Sequence, residues 1–267
     1  MSAGVLLERD GGVAVLTLNR PEVKNALDPA TVDALVALLR DLRDDEGVRS
    51  VLLCGAGGDF CAGGDVKAMG QGGSRTVEQR RGGMRRYRDL AMALAALDKP
   101  VVAAIDGVAY GAGLSLALLA DIVLVSDRAR MAMVFHRIGL VPDVGAWYTL
   151  PRVVGLQRAK ELIFSAREFG AAEALRMNLA LEMLPAAELK PRALEIARSF
   201  DGASATALSL SKQALQASLQ SDLGAMLDLE ASAQAIAGAS AYAQESVRRF
   251  GAREPAQFLW PNRQPKD

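Results

Sequence analysis

Two short apolar stretches, Val5 to Arg9 and Val13 to Leu18, alternate about the polar turn Asp10-Gly11-Gly12, a pattern that predicts a β-hairpin. Asn19-Arg20-Pro21 ends the second strand. Asp28-Pro29 then reads as a helix N-cap followed by proline in the first turn. Behind it Val32, Leu35, Val36, Leu38, Leu39 and Leu42 recur at helical spacing, and the polar run Asp44-Asp45-Glu46-Gly47 stops the helix. The apolar runs Val48 to Cys54 and Val101 to Ile105 predict buried strands. Each is followed by a glycine-rich turn, Gly55 to Asp65 and Gly107 to Gly113. Residues 67–99 read as helix after Gly70-Gln71-Gly72-Gly73, and Asp121 to Ser126 as one more short strand.

The stretch 105–120 organises the rest. After Gly113 the chain is apolar nearly all round, so a helix there must be buried on every side. A buried helix start leaves backbone N–H groups without water, and an anion or a polarised carbonyl is the acceptor that the helix dipole favours. From Gly145 onward the pattern is almost wholly helical, and the strands are confined to the first half. The segments 206–219 and 222–238 read as amphipathic helices, with Leu208, Leu210, Leu215, Leu223, Met226, Leu227 and Leu229 as buried positions. The fold class is therefore α/β, a β-β-α spiral core followed by a helical region. The expected division is 1–200 for the core with its site and 201–267 for the helical region.

Charge and composition narrow the function classes. Basic and acidic residues balance at 31 each, which points to neither a nucleic-acid nor a membrane-surface partner. The two cysteines, Cys54 and Cys61, lack CxxC spacing, so a reducing compartment is expected, and Cys54 belongs to a core strand. Without a signal-like apolar start or an uninterrupted apolar run of membrane length, a cytoplasmic protein is expected. Arg75, Arg80, Arg81, Arg85, Arg86 and Arg88 make one segment basic, which reads as a solvated helix face with an electropositive rim as the alternative.

Several chemistries fail on the residues. Gly111-Ala112-Gly113-Leu114-Ser115-Leu116 lacks the third glycine of a dinucleotide site, and Asp65 stands where a P-loop would continue. Gly113-Leu114-Ser115-Leu116-Ala117 approaches a nucleophile elbow, but the only histidine is His136, and a triad needs one late in the chain. No His or Cys cluster offers a metal site. What remains is a pair of glycine turns, each after a strand, whose backbone N–H groups can converge on one oxygen and stabilise an enolate or tetrahedral oxyanion.

These residues resemble the crotonase family, the enoyl-CoA hydratase/isomerase group. Residues 19–27 (NRPEVKNAL) are similar to its first CoA-contacting segment, and 60–67 (FCAGGDVK) to its first oxyanion loop. Residues 99–121 are similar to the second loop, and 138–145 (IGLVPDVG) with Leu150-Pro151-Arg152 to a late active-site segment. The resemblance implies that Gly64 and Ala112 hold a thioester oxygen. It also implies that Lys24, Ala62, Asp65, Val66 and Lys67 bind CoA, and that the chain assembles as a homotrimer or dimer of trimers. The acyl-CoA is the substrate, and no separate cofactor is implied.

Two departures redirect the chemistry. Where hydratases of the family carry two glutamates, this chain has Ser115 and Phe135, and neither can act as a carboxylate base. Asp143 stands where isomerase-like members carry an acid. A single carboxylate suits a proton shift between two carbons, because one group can take and return the same proton. The expected reaction therefore moves a double bond from the 3- to the 2-position of an enoyl-CoA. A hydratase and a catalytically silent acyl-CoA-binding scaffold are the alternatives, and Asp143 as a mere helix cap is the structural one. Leu140 and Trp147 are expected at the acyl pocket.

Overall fold

The computed structural model describes residues 4–66 and 76–262. The expected hairpin is present as β1 (Val5–Asp10) and β2 (Val13–Leu18), paired antiparallel. Helix α1 (Pro29–Asp44) begins where Asp28 accepts the Thr31 N–H, and it buries Val32, Leu35, Val36, Leu39 and Leu42. It is followed by β3 (Ser50–Gly55), α2 (Val77–Ala95), β4 (Val101–Ile105), β5 (Val108–Tyr110), α3 (Ala112–Ala117), β6 (Ile122–Ser126) and β7 (Arg130–Ala132). The second half contains α4 (Ala146–Val154), α5 (Leu156–Ser165), β8 (Glu168–Gly170), α6 (Ala171–Arg176), β9 (Glu182–Leu184) and α7 (Ala186–Ser199). Helices α8 (Ala205–Ser218), α9 (Leu223–Gly238) and α10 (Ala241–Ala252) follow.

A six-stranded sheet in the order β1-β2-β3-β4-β6-β9 is parallel beyond the hairpin, and a three-stranded sheet runs β5-β7-β8. Successive turns of chain visit both sheets, β4 then β5 and β6 then β7. Cys61, bridged to Ala109, takes the same position in the turn after β3. This alternation is the expected spiral. Strands β2 and β4 are buried along their whole length because helices or the second sheet cover both faces, as parallel strands require. Cys54 and Cys61 are both buried and unbonded to each other.

Two expectations are corrected. Strands are not confined to the first half: β8 and β9 lie in the second, each of three residues, too short for an alternation to register. The apolar positions of the last helices are also not buried within one chain. Leu208 packs against the core, but Leu215, Leu223, Leu227 and Leu229 are 71%, 75%, 52% and 39% exposed. Apolar residues ring α9 rather than forming one stripe, so no single neighbouring helix can cover them. The chain end returns to the core, where Phe258 stacks on Phe200 and Trp260 meets the same ring edge-on. Among the described residues no helix is long and apolar enough to cross a membrane.

Candidate active site

The two glycine turns lie side by side. Cys61 N–H donates to Val108 O and Cys61 O accepts from Tyr110 N–H, at 2.9 Å each, which zips the first turn to β5. Gly63 has φ +97°, and a Cβ there would stand 2.8 Å from Tyr110 O and 3.5 Å from Ala112 N. Gly113 meets the same turn from the other side, for its Cβ would fall 2.3 Å from Cys61 O. No side chain fits either point, and the sequence supplies none. Asp59 and Asp106 finish the clamp. Asp59 Oδ1 accepts the Val108 N–H, and Asp106 accepts from Gly107 N–H, Ser126 Oγ and Arg128.

This zipping leaves two donors free of the ladder. Leu27 and Gly64 form a parallel bridge in which Leu27 N–H donates to Gly63 O and Asp65 N–H to Leu27 O. In a parallel bridge the flanked residue directs its own N–H to the opposite edge, so Gly64 N–H faces away from Leu27. Ala112 is the first residue of α3, whose opening N–H groups have no intrahelical acceptor. Gly111 N–H, one residue earlier, is already held by Ala132 O.

The other expected ligands gather around the first turn. Ala62 N–H donates to Lys24 O, while the Lys24 side chain is 53% exposed and lies 3.7 Å from Asp59. The Asp65 carboxylate is held by Arg20 at 3.1 Å, so it fastens the loop. Val66 is exposed, and Lys67 lies outside the described residues, as does Arg75. Leu140, on the segment that leads into α4, and Trp147, in the first turn of that helix, are both exposed.

Arg20 and Asn25 are structural keys that the sequence reading did not single out. Arg20 donates to Ala26 O and reaches Asp28 and Asp65, joining three loops. Asn25, buried in the left-handed region with φ +56°, accepts from Arg20 N–H and donates to Ala56 O and Asp59 O. Asparagine tolerates that backbone region, which is the one signal its position offered.

Ser115 and Phe135 do flank the second turn. Ser115 is fully buried and its hydroxyl donates to Gly111 O at 3.0 Å, so it has neither the freedom nor the partner of a nucleophile. His136 is exposed and stacked on Phe164. The nucleophile-elbow chemistry has no support here. The Phe135 ring stands beside Gly111, 3.6 Å from where a Cβ would lie, as an apolar wall.

Asp143 sits at a strained turn. Val144 has φ +51°, a conformation that a β-branched residue adopts only at a cost, and Gly145 follows with φ +79°. The N-cap of α4 is Gly145, with no side-chain cap, so Asp143 does not cap that helix. Its Oδ1 is buried and, among the described residues, has no hydrogen-bond partner. Burial pushes the carboxyl up to about 6 against the 3.8 of an ordinary aspartate, which a backbone hydrogen bond only partly offsets. Tyr87, on α2, lies beside the first turn, where its hydroxyl donates to Leu27 O at 3.4 Å; burial first, and the Asp143 charge next, push its phenol up to about 12.

The chain matches the enoyl-CoA hydratase/isomerase family over residues 8–261. It is 39% identical to a probable enoyl-CoA hydratase of Rhodobacter capsulatus, with 92% of this chain and 94% of that protein covered. It is 35% identical to the 1,2-epoxyphenylacetyl-CoA isomerase of Escherichia coli K12, covering 95% and 97% of the two chains. The crystal structure of an enoyl-CoA hydratase/isomerase from Cupriavidus metallidurans CH34 aligns with TM-score 0.91 at 39% identity, over 98% of each chain.

Proposed function

The chain belongs to the enoyl-CoA hydratase/isomerase family, and from that membership we propose that it shifts a double bond of an enoyl-CoA from the 3- to the 2-position. Gly64 N–H and Ala112 N–H hold the thioester oxygen. That polarisation acidifies the carbon next to the carbonyl. Asp143 takes a proton from C2, the electron pair moves onto the thioester oxygen, and an enolate conjugated with the C3–C4 double bond results. As the carbonyl re-forms, C2 and C3 become doubly bonded and the Asp143 carboxylic acid returns the proton to C4. Atoms and charge balance within substrate and protein, so the step requires no separate cofactor. Lys24 and Lys67 serve the CoA phosphates, Ala62, Asp65 and Val66 shape the pantetheine path, and Leu140 and Trp147 rim the acyl end.

The observation that carries this reading is the half-buried Asp143 carboxyl, whose Oδ1 has no hydrogen-bond partner among the described residues, while Ser115 and Phe135, beside the second turn, offer no carboxylate. Hydration needs a second group to hold and activate water, and the Ser115 hydroxyl is already committed to Gly111 O. The test is turnover of 3-enoyl-CoA beside 2-enoyl-CoA, together with deuterium uptake at C2. Water addition to 2-enoyl-CoA without migration would favour a hydratase. Binding with neither reaction would favour a silent scaffold.

Assembly belongs to the same proposal. Leu215, Leu219, Leu223, Leu227, Ile236 and Phe250, along the last helices, are each more than half exposed, and large exposed apolar patches mark interfaces. On α9 apolar residues stand on more than one face, among Asp228, Glu230, Ser232 and Gln234, so one neighbouring helix cannot cover them all. Light scattering at micromolar concentration is expected to give a homotrimer or a dimer of trimers, and a monomer would contradict it.

A further inference from the structure

We propose that Ser115 is a positioning residue for the reaction: its hydroxyl fixes and polarises the Gly111–Ala112 peptide, whose N–H is the oxyanion donor of the second turn. The inference rests on the oxyanion reading above and deepens it.

Every residue of α3 from Ala112 to Ala117 is buried, and Ser115 carries the only polar side chain among them. Alanine is the better helix former and would bury no hydroxyl there. The Ser115 hydroxyl donates to Gly111 O at 3.0 Å, and the Ser115 N–H donates to the same oxygen at 2.9 Å. Bonding back to the fourth preceding carbonyl is a common way for a helical serine to satisfy itself. What is particular here is the peptide that receives the bond. Gly111 O and Ala112 N–H belong to one planar trans unit, so they point in opposite directions. Ser115 therefore holds one end of the group whose other end is the donor. Ala112 N itself lies beside the first turn, 3.5 Å from where a Gly63 Cβ would stand.

That peptide depends on outside partners for its direction. Gly111 has φ +50° and ψ −121°, and a glycine's wide backbone freedom does not by itself hold such a conformation. Ala132 O holds the Gly111 N–H at 2.9 Å. Val134 Cγ2 and the Phe135 ring stand 3.3 and 3.6 Å from where a Gly111 Cβ would lie, an apolar flank to the same residue. The Ser115 hydroxyl completes this set at the carbonyl. A carbonyl that accepts a hydrogen bond makes the N–H of its own peptide a stronger donor, by about 10–30% per bond. An oxyanion donor is worth roughly 100- to 1,000-fold in rate, so that fraction of its effect amounts to about two- to eightfold.

The test is infrared difference spectroscopy of bound hexanoyl-CoA, with and without carbon-13 at the thioester carbonyl, beside kcat and KM for 3-hexenoyl-CoA. Binding to wild-type protein is expected to lower the carbonyl stretching frequency, and Ser115→Ala to reverse part of that shift. In the same variant kcat is expected to fall about two- to eightfold with KM little changed, because the lost interaction strengthens as charge develops on the oxygen. The melting temperature should not fall, since alanine suits the helix. Should it fall, Ser115→Cys fills the place with a weaker donor and is read in the same way. A wild-type carbonyl frequency in Ser115→Ala overturns the proposal, as does a loss confined to KM. A moved midpoint of the pH–rate profile also overturns it, by assigning the effect to the base. If wild-type protein binds the thioester without lowering its frequency, the oxyanion reading itself fails and this one with it. The isomerase reading fails separately, in turnover, while the infrared shift remains measurable.

Discussion

Asp143→Asn is expected to abolish double-bond migration and deuterium exchange at C2 while leaving acyl-CoA affinity within a few-fold of wild type. Asparagine keeps the shape of the side chain but cannot take the proton. Losing a positioned base costs about 10²- to 10⁴-fold, and Ser115, Phe135 and Tyr87 offer no carboxylate in its stead. The pH dependence follows from the same carboxyl. Since the base must be ionised, kcat/KM should rise about tenfold per unit up to about pH 6 and level off above it. The profile and the variant check each other. An Asp143→Asn protein that retains most of the exchange rate would assign the base elsewhere.

Ala112→Pro is expected to cut turnover by roughly 100- to 1,000-fold, the usual effect of deleting one oxyanion donor. Proline removes the backbone N–H, and no side chain restores it. Ala112 opens α3, the helical position where proline is best tolerated, and Gly111 before it has the freedom that a residue preceding proline needs. The variant should therefore fold, and thermal unfolding together with CoA-ester binding will verify that before rates are compared. Wild-type turnover in a folded Ala112→Pro protein would mean that the thioester oxygen lies elsewhere.

Much of this arrangement is legible in the residues, and what is not has identifiable causes. Helix α1 announces itself through Asp28-Pro29 and a long apolar period, and Asp28 does cap it. The glycine turns are visible because each interrupts an apolar run, and the structure shows why glycine stands at 63 and 113: a neighbouring backbone occupies the space of a Cβ. Three-residue strands such as β8 and β9 carry no period to detect. Arg20 and Tyr87 stay hidden because their partners, Asp65 and Leu27, are 45 and 60 residues away, and nothing local marks a long-range bond. The C-terminal leucines illustrate a different limit. Their pattern states that they require cover, but not that another element of the same chain provides it.

The burial of Asp143 also bears on the stability of the protein. Its carboxyl titrates at about 6 in the folded chain and near 3.8 when unfolded, so the folded state holds the proton more tightly. Below about pH 4 both states are protonated and the site costs nothing. Between pH 4 and 6 the unfolded chain ionises first, and above about 6 the folded chain carries the whole penalty, on the order of 3 kcal/mol. Removing the charge should therefore raise the melting temperature of Asp143→Asn relative to wild type by an amount that grows from pH 4 to pH 8. A difference that stays flat across that range would mean that the carboxyl is not desolvated in the folded protein. The residue proposed to transfer the proton is thus also one that the fold holds at a loss, a sacrifice of stability made at a single carboxyl.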